Sequence, residues 1–175
     1  MSTSNNPNLI GFRRVVTGHG PDGRSICLSD DRVAEGPGWL YDLWQTTVPA
    51  TNSEDMPAFE FPISLAPPQG GVTFRIMKVP PRRVIEAMTR EDVEKTLREL
   101  GASKAAVAAN HLLMHKTQTL DVLLVLSGRV TLHLEEGYID LAPFDTVVQR
   151  ATAHAWSTPD DEAATVAVIL VDGHR

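Results

Sequence analysis

The sequence predicts an all-β barrel in a single domain. Three observations predict it. After residue 112 the apolar pattern switches to a period of two, and short strand-like runs follow one another closely. Turn pairs such as Ser127-Gly128 and Glu136-Gly137 separate those runs. One segment alone, about residues 90–100, carries both a start and a stop signal for a helix.

The elements follow in order. Residues 1–8 are rich in Ser, Asn and Pro and read as a disordered tail, followed by N-terminal strands and a loop over 9–80. Phe12 to Thr17 and Arg24 to Ser29 are strand-like, and Pro21-Asp22-Gly23 between them is turn chemistry, so a β-hairpin is expected. Trp39 to Thr46 is aromatic-rich and reads as another strand. The proline-studded stretch 48–70 reads as a long loop. Gly71 to Val79 alternates and stops at Pro80-Pro81.

Thr89 to Asp92 resembles a capping box, with Asp in place of Glu or Gln. Val93, Leu97 and Leu100 follow at helical spacing, and Gly101 is a natural stop, which gives one short helix near 90–100. Residues 102–110 fit either helix or loop. Asp121 to Leu126 is a continuous apolar run, as for a strand covered on both faces. Arg129 to Leu134 alternates, with Thr131 and His133 on the polar side. Tyr138 to Leu141, Thr146 to Arg150 and Ala163 to Val171 complete a barrel core over 112–171.

Composition narrows the function classes. The 175 residues are 42% hydrophobic and 22% charged, ordinary for a globular chain with a real core. A net charge of −6, without a Lys/Arg cluster, argues against nucleic-acid binding. No apolar run approaches the ~20 residues that span a bilayer, so no membrane partner is expected. The N-terminus lacks a secretory signal, and a cytoplasmic location is the default expectation. The single cysteine, Cys27, excludes an internal disulfide and a cysteine metal site, and reads as a packed thiol.

The stretch from His115 to Trp156 resembles the double motif of the cupin superfamily. Anchored on Gly128, the first motif places His115, Thr117 and Asp121 where that family holds two histidines and a glutamate. The second motif places Gln149, Ala151 and His154 at its Pro, Gly and His positions, with Phe144 at the turn glycine and Thr158 for the Asn. The likeness is to small bacterial cupins with a His-x-Thr-x-Thr-x-Asp first motif and a His-Ala-Trp second motif, whose functions are poorly assigned. It implies a double-stranded β-helix barrel over 112–171 with a metal site inside, to which the hairpin read above adds an N-terminal extension.

Parity supports the same site. Residues 115, 117, 119 and 121 share one strand face, so His115, Thr117 and Thr119 point with Asp121 toward the interior of a small barrel. His115, Asp121 and His154 form a 2-His-1-carboxylate set that suits Zn, Fe or Mn. Thr117, Thr119, Gln149 and Trp156 are the candidate pocket residues. Trp156 reads equally as an aromatic wall or as core. Gln149 and Arg150 face opposite ways, so only one lines the pocket; Arg75 and Lys78 are lesser candidates. His154 has the plain alternative of a hydrogen-bonded interior histidine. His133 reads as surface, and His19 and His174 need no role.

Three functions remain open at this level. The first is a divalent-metal-dependent enzyme acting on a small molecule, with hydrolase, lyase, isomerase and dioxygenase chemistry undistinguished. The second is a metal-free module that binds or senses a metabolite. The third is a metal-free acid–base enzyme with His154 and Asp121 as catalytic residues. A homodimer is expected, because a small barrel leaves sheet edges that the aromatic strand Trp39 to Trp44 would cover or pair.

Overall fold

Long runs of Val, Leu and Ile favour a half-buried pleated surface, and they set the frame. The computed structural model describes residues 11–33, 39–47, 63–100 and 113–173. Ten strands and two helices follow in order: β1 (Phe12–His19), β2 (Ser25–Val33), β3 (Leu40–Thr46), β4 (Val72–Val79), α1 (Arg82–Glu86), α2 (Arg90–Glu99), β5 (Thr119–Ser127), β6 (Val130–Leu134), β7 (Tyr138–Leu141), β8 (Thr146–Arg150), β9 (His154–Ser157) and β10 (Ala164–Asp172).

β1 and β2 form an antiparallel hairpin. A five-stranded sheet runs β3-β4-β10-β5-β8, and a three-stranded sheet runs β7-β6-β9. An isolated antiparallel bridge joins His115 to His154 on the free side of β9. Counted from β4, with the His115 bridge as the second element, the sheets read 1-8-3-6 and 2-7-4-5. That is the order of a jelly roll, the double-stranded β-helix expected from the sequence.

The inward faces of both sheets meet in one core. Val79, Leu123, Val125, Val130, Leu132, Val166 and Leu170 are all buried there. Fully burying each such side chain contributes about 1.5–3 kcal/mol. A second cluster, Tyr41, Leu43 and Ile76, packs under Phe12 and Val33 of the hairpin. Arg14 latches the hairpin down: its Nη2 lies 2.6 Å from Asp31 Oδ2, and its Nη1 donates to the Leu43 carbonyl at 3.0 Å.

Several expectations need correction. β5 is covered on one face, not two. Leu120, Val122 and Leu126 are 41%, 40% and 37% exposed, because the hairpin shields only the β3–β4 side of the outer sheet surface. Cys27 is exposed rather than packed, on the solvent side of the hairpin, where its Sγ donates to the Ser29 carbonyl at 3.2 Å. A second helix, α1, starts directly at Pro81. A proline whose N–H is missing and whose φ is fixed suits a helix start as well as a strand end. His133 is half-buried, with Nε2 2.7 Å from Ser157 Oγ. β9 had no strand signal in the sequence, since all four of its residues are buried and show no alternation. His19 ends β1 rather than lying in the turn. Residues 1–8, 102–110 and His174, and most of the 48–70 loop, lie outside the described residues.

Two turns carry an unusual backbone. Phe144 (φ 74°) and Ala151 (φ 50°) occupy the left-handed region, at the two motif positions where glycine was replaced. Gly128 has φ 75°, and a Cβ there would meet Ala164 Cβ at 2.9 Å.

Candidate functional site

The site grows from the pleat of β5 and the bridge that precedes it. Odd-numbered residues of β5 point inward, which buries Thr119 and Asp121 at 3% and 6% exposure. The same parity continues through Thr117 to His115. His115 and His154 exchange both backbone hydrogen bonds, at 3.0 and 2.9 Å, so their rings sit side by side with centroids 4.6 Å apart. The Trp156 ring stands edge-on to His154 at 5.7 Å.

The imidazole tautomers follow from geometry. Nδ1 of His115 faces the Leu113 carbonyl at 2.9 Å, and Nδ1 of His154 faces the Thr152 carbonyl at 2.9 Å. A carbonyl only accepts, so each Nδ1 carries the proton and each neutral ring keeps its lone pair on Nε2. Burial, then the neighbouring His115, pushes the His154 imidazole down to about 4. Burial also lowers His115, against a smaller opposing effect of Asp121. Burial raises the Asp121 carboxyl above its ordinary value, opposed by the Thr119 hydroxyl, His115 and Arg75. Asp121 Oδ1 is buried without a hydrogen-bond partner.

These groups form one end of a cavity of about 320 Å³. Thr117, Gln149, Trp156 and Arg75 also line it. Most of the remaining wall is apolar: Met77 and Val79 from β4, Leu123 from β5, Val168 and Leu170 from β10, and Leu65 and Trp39 from the preceding segments. Val84, Met88, Leu97 and Leu100 close it from the helical side. Thr119 lies behind the wall, with Oγ1 2.6 Å from Thr117 Oγ1. Gln149 rather than Arg150 faces in, and its amide is tied to Thr152.

Sequence reasoning missed two features. The helices form one wall, as Leu97 and Leu100 serve the cavity beside their own packing. Arg75 forms a buried ion pair with Asp42 of β3, Nε to Oδ1 at 2.9 Å, with 5% and 6% of the side chains exposed. Neither of those two atoms has a hydrogen-bond partner. Arg75 Nη2 does donate to Asp42 Oδ2 at 3.3 Å and to the Ser64 carbonyl at 2.8 Å. For both partners desolvation outweighs attraction: Asp42 is raised and Arg75 lowered. Opposite charges on the buried faces of two neighbouring apolar strands are the signal that marks such a pair.

The donor types suit a divalent ion: two imidazoles with Nδ1 committed elsewhere, and a carboxylate with an orphaned oxygen. Their spacing does not. Among the described residues no three His, Cys, Asp or Glu side chains lie close enough together to hold an ion. As placed, His115, Asp121 and His154 do not form a closed metal site.

No family model matches the chain, and no curated protein matches it. Solved structures are similar to it at low identity. A cupin 2 conserved barrel domain protein from Salinispora arenicola is 10% identical, covering 81% of this chain and 82% of that one, with a TM-score of 0.42. An RmlC-like cupin with a double-stranded β-helix fold from Methanocaldococcus jannaschii is 12% identical, covering 58% and 71%, with a TM-score of 0.38. A cupin-2 domain protein from Shewanella frigidimarina is 14% identical, covering 56% and 68%, with a TM-score of 0.35. What decides the fold is the strand order of this chain, 1-8-3-6 against 2-7-4-5. The fold is a double-stranded β-helix barrel. In this barrel the motif histidines sit on the jelly roll's inner surface, and the helices between β4 and the first motif wall one side of the cavity. No helix among the described residues is long and apolar enough to cross a membrane.

Proposed function

We propose that this chain binds a small molecule with an apolar body in its barrel, without a resident metal. One observation carries the reading. The cavity of about 320 Å³ has mostly apolar walls, and among its few polar lining groups Asp121 Oδ1 has no partner. That is the usual build of a small-molecule site, a concave apolar surface with few oriented polar groups. A buried, unpartnered carboxylate oxygen costs free energy that a ligand's donor group offsets. Acid–base catalysis by His154 with Asp121 is a poorer fit, because an imidazole pushed down to about 4 is a weak base near neutral pH.

The test is a titration of the full chain with 2-phenylethanol, followed by tryptophan fluorescence. Trp39 and Trp156 line the cavity and report on it. Val84 lines the cavity from the helical side and is 44% exposed, so Val84→Trp fills space there without entering the core. Saturable quenching that Val84→Trp abolishes supports the reading. Equal quenching in both proteins contradicts it.

A second reading keeps an ion on His115 and His154, with Asp121 drawn in. The two committed Nδ1 atoms favour it, since that arrangement orients metal-bound histidines. Metal analysis before any chelator is used separates the two: one equivalent of Zn, Fe or Mn per chain overturns the metal-free proposal.

We also propose a homodimer. β3 covers the β4 edge, and Leu120, Val122, Val148 and Ile169 leave an apolar strip on the outer sheet face, a site for a second copy. Light scattering at micromolar concentration should read twice 19.1 kDa. A value of 19.1 kDa contradicts this.

A further inference from the structure

We propose that the ligand's head group is a primary ammonium, carried on an apolar or aromatic body. The inference rests on the small-molecule reading above and specifies its ligand class. Three acceptors mark the polar end. Two are imidazole Nε2 atoms, because each Nδ1–H is spent on a backbone carbonyl. The third is Asp121 Oδ1, buried and unpartnered on a residue 6% exposed. An ammonium brings three N–H donors and no acceptor, the complement of that set.

Charge agrees. Among the described residues, the fixed charges lining the cavity belong to Arg75, Lys78 and Asp121. Arg75 is committed to Asp42 and to the Ser64 carbonyl. Lys78 turns its Nζ to the Tyr41 ring, 5.6 Å from the centroid, in the cluster outside the barrel. That leaves the Asp121 carboxylate with Arg75 only as a lesser attraction, behind burial, the Thr119 hydroxyl and His115. A cation neutralises it, whereas a carboxylate ligand adds a second negative charge at the same end. The cavity volume limits the body to about the size of one aromatic ring with a short chain.

The test is calorimetric titration of the full chain, at fixed pH and salt, with 2-phenylethylammonium, 2-phenylethanol and 3-phenylpropanoate. The ammonium should bind at least about tenfold tighter than the alcohol, the ordinary size of a charge-assisted hydrogen bond, and the carboxylate weakest. Asp121→Asn keeps the side-chain shape and should erase that preference. Equal binding of ammonium and alcohol, tighter binding of the carboxylate, or an unchanged preference in Asp121→Asn overturns the inference and leaves the cavity reading standing. Failure of all three probes overturns both. If Asp121→Asn does not fold, the wild-type ranking decides alone.

Discussion

His115 and His154 face each other across neighbouring strands as a closed hydrogen-bonded pair, N to O at 3.0 and 2.9 Å in the two directions. They stand 39 positions apart in the sequence, and the whole of β5 to β8 lies between. The pairing fixes both backbones, the two Nδ1 contacts fix both rings, and what remains for a ligand is a pair of Nε2 lone pairs beside Asp121. The polar end of the cavity is therefore set before any ligand arrives, which lowers the ordering cost of binding.

Acid should loosen the fold through this pair. The folded state holds His154 at about 4, below its ordinary 6.5, so folding favours the neutral ring. That contribution is complete above pH 6.5 and is lost as pH falls toward 4, on the order of 3 kcal/mol over the interval. Asp121 acts in the opposite sense: its raised carboxyl contributes stability at low pH that is lost as pH rises through its folded value. Urea unfolding of chelator-treated protein from pH 7 to 4 checks this. His154→Gln should flatten the decline, and an unchanged slope in that variant contradicts it.

The Arg75–Asp42 pair should behave as a buried ion pair. Both side chains are about 5% exposed, and burial outweighs attraction for each. Asp42→Asn leaves the guanidinium buried with a neutral partner and should cost about 3–5 kcal/mol. The double variant Asp42→Leu, Arg75→Met should cost less than the single one. Denaturant unfolding of both proteins checks the order.

The two left-handed turn residues predict a gain. Phe144 is 81% exposed at φ 74°, so Phe144→Gly loses little packing and relieves a conformation that costs a side-chain-bearing residue about 1–2 kcal/mol. A net rise of about 0.5–1 kcal/mol in unfolding free energy is expected, since glycine also gains freedom in the unfolded chain. Gly128→Ala should do the reverse, because its Cβ meets Ala164 at 2.9 Å. Thermal unfolding of the two variants reads both signs.

Much of the barrel was legible because local signals agreed with the fold. The capping box at Thr89 and Asp92 forms as read, with Thr89 N–H donating to Asp92 Oδ2 at 2.8 Å. The parity of 115, 117, 119 and 121 matches the burial of Thr119 and Asp121. What escaped depends on contacts distant in sequence. The apolar run from Leu120 to Leu126 does not reveal that its outer side faces no second layer among the described residues. β9 is too short and too buried to alternate, and Cys27 looks packable until the hairpin's open side is known. Thr117 and Thr119 share a face, but only the fold separates a cavity wall from the residue behind it.

The most direct measurement follows backbone and tryptophan side-chain N–H resonances while 2-phenylethanol is added. Leu123, Gln149, His154, Trp156 and Val168 line the cavity, whereas Leu120, Val122 and Val148 lie on the exposed outer sheet face. A saturable set of shifts centred on the first group, with the Trp156 indole N–H among them, is the predicted result. Shifts confined to Leu120, Val122 and Val148, or no saturable shift anywhere, would contradict the claim that the barrel holds the ligand.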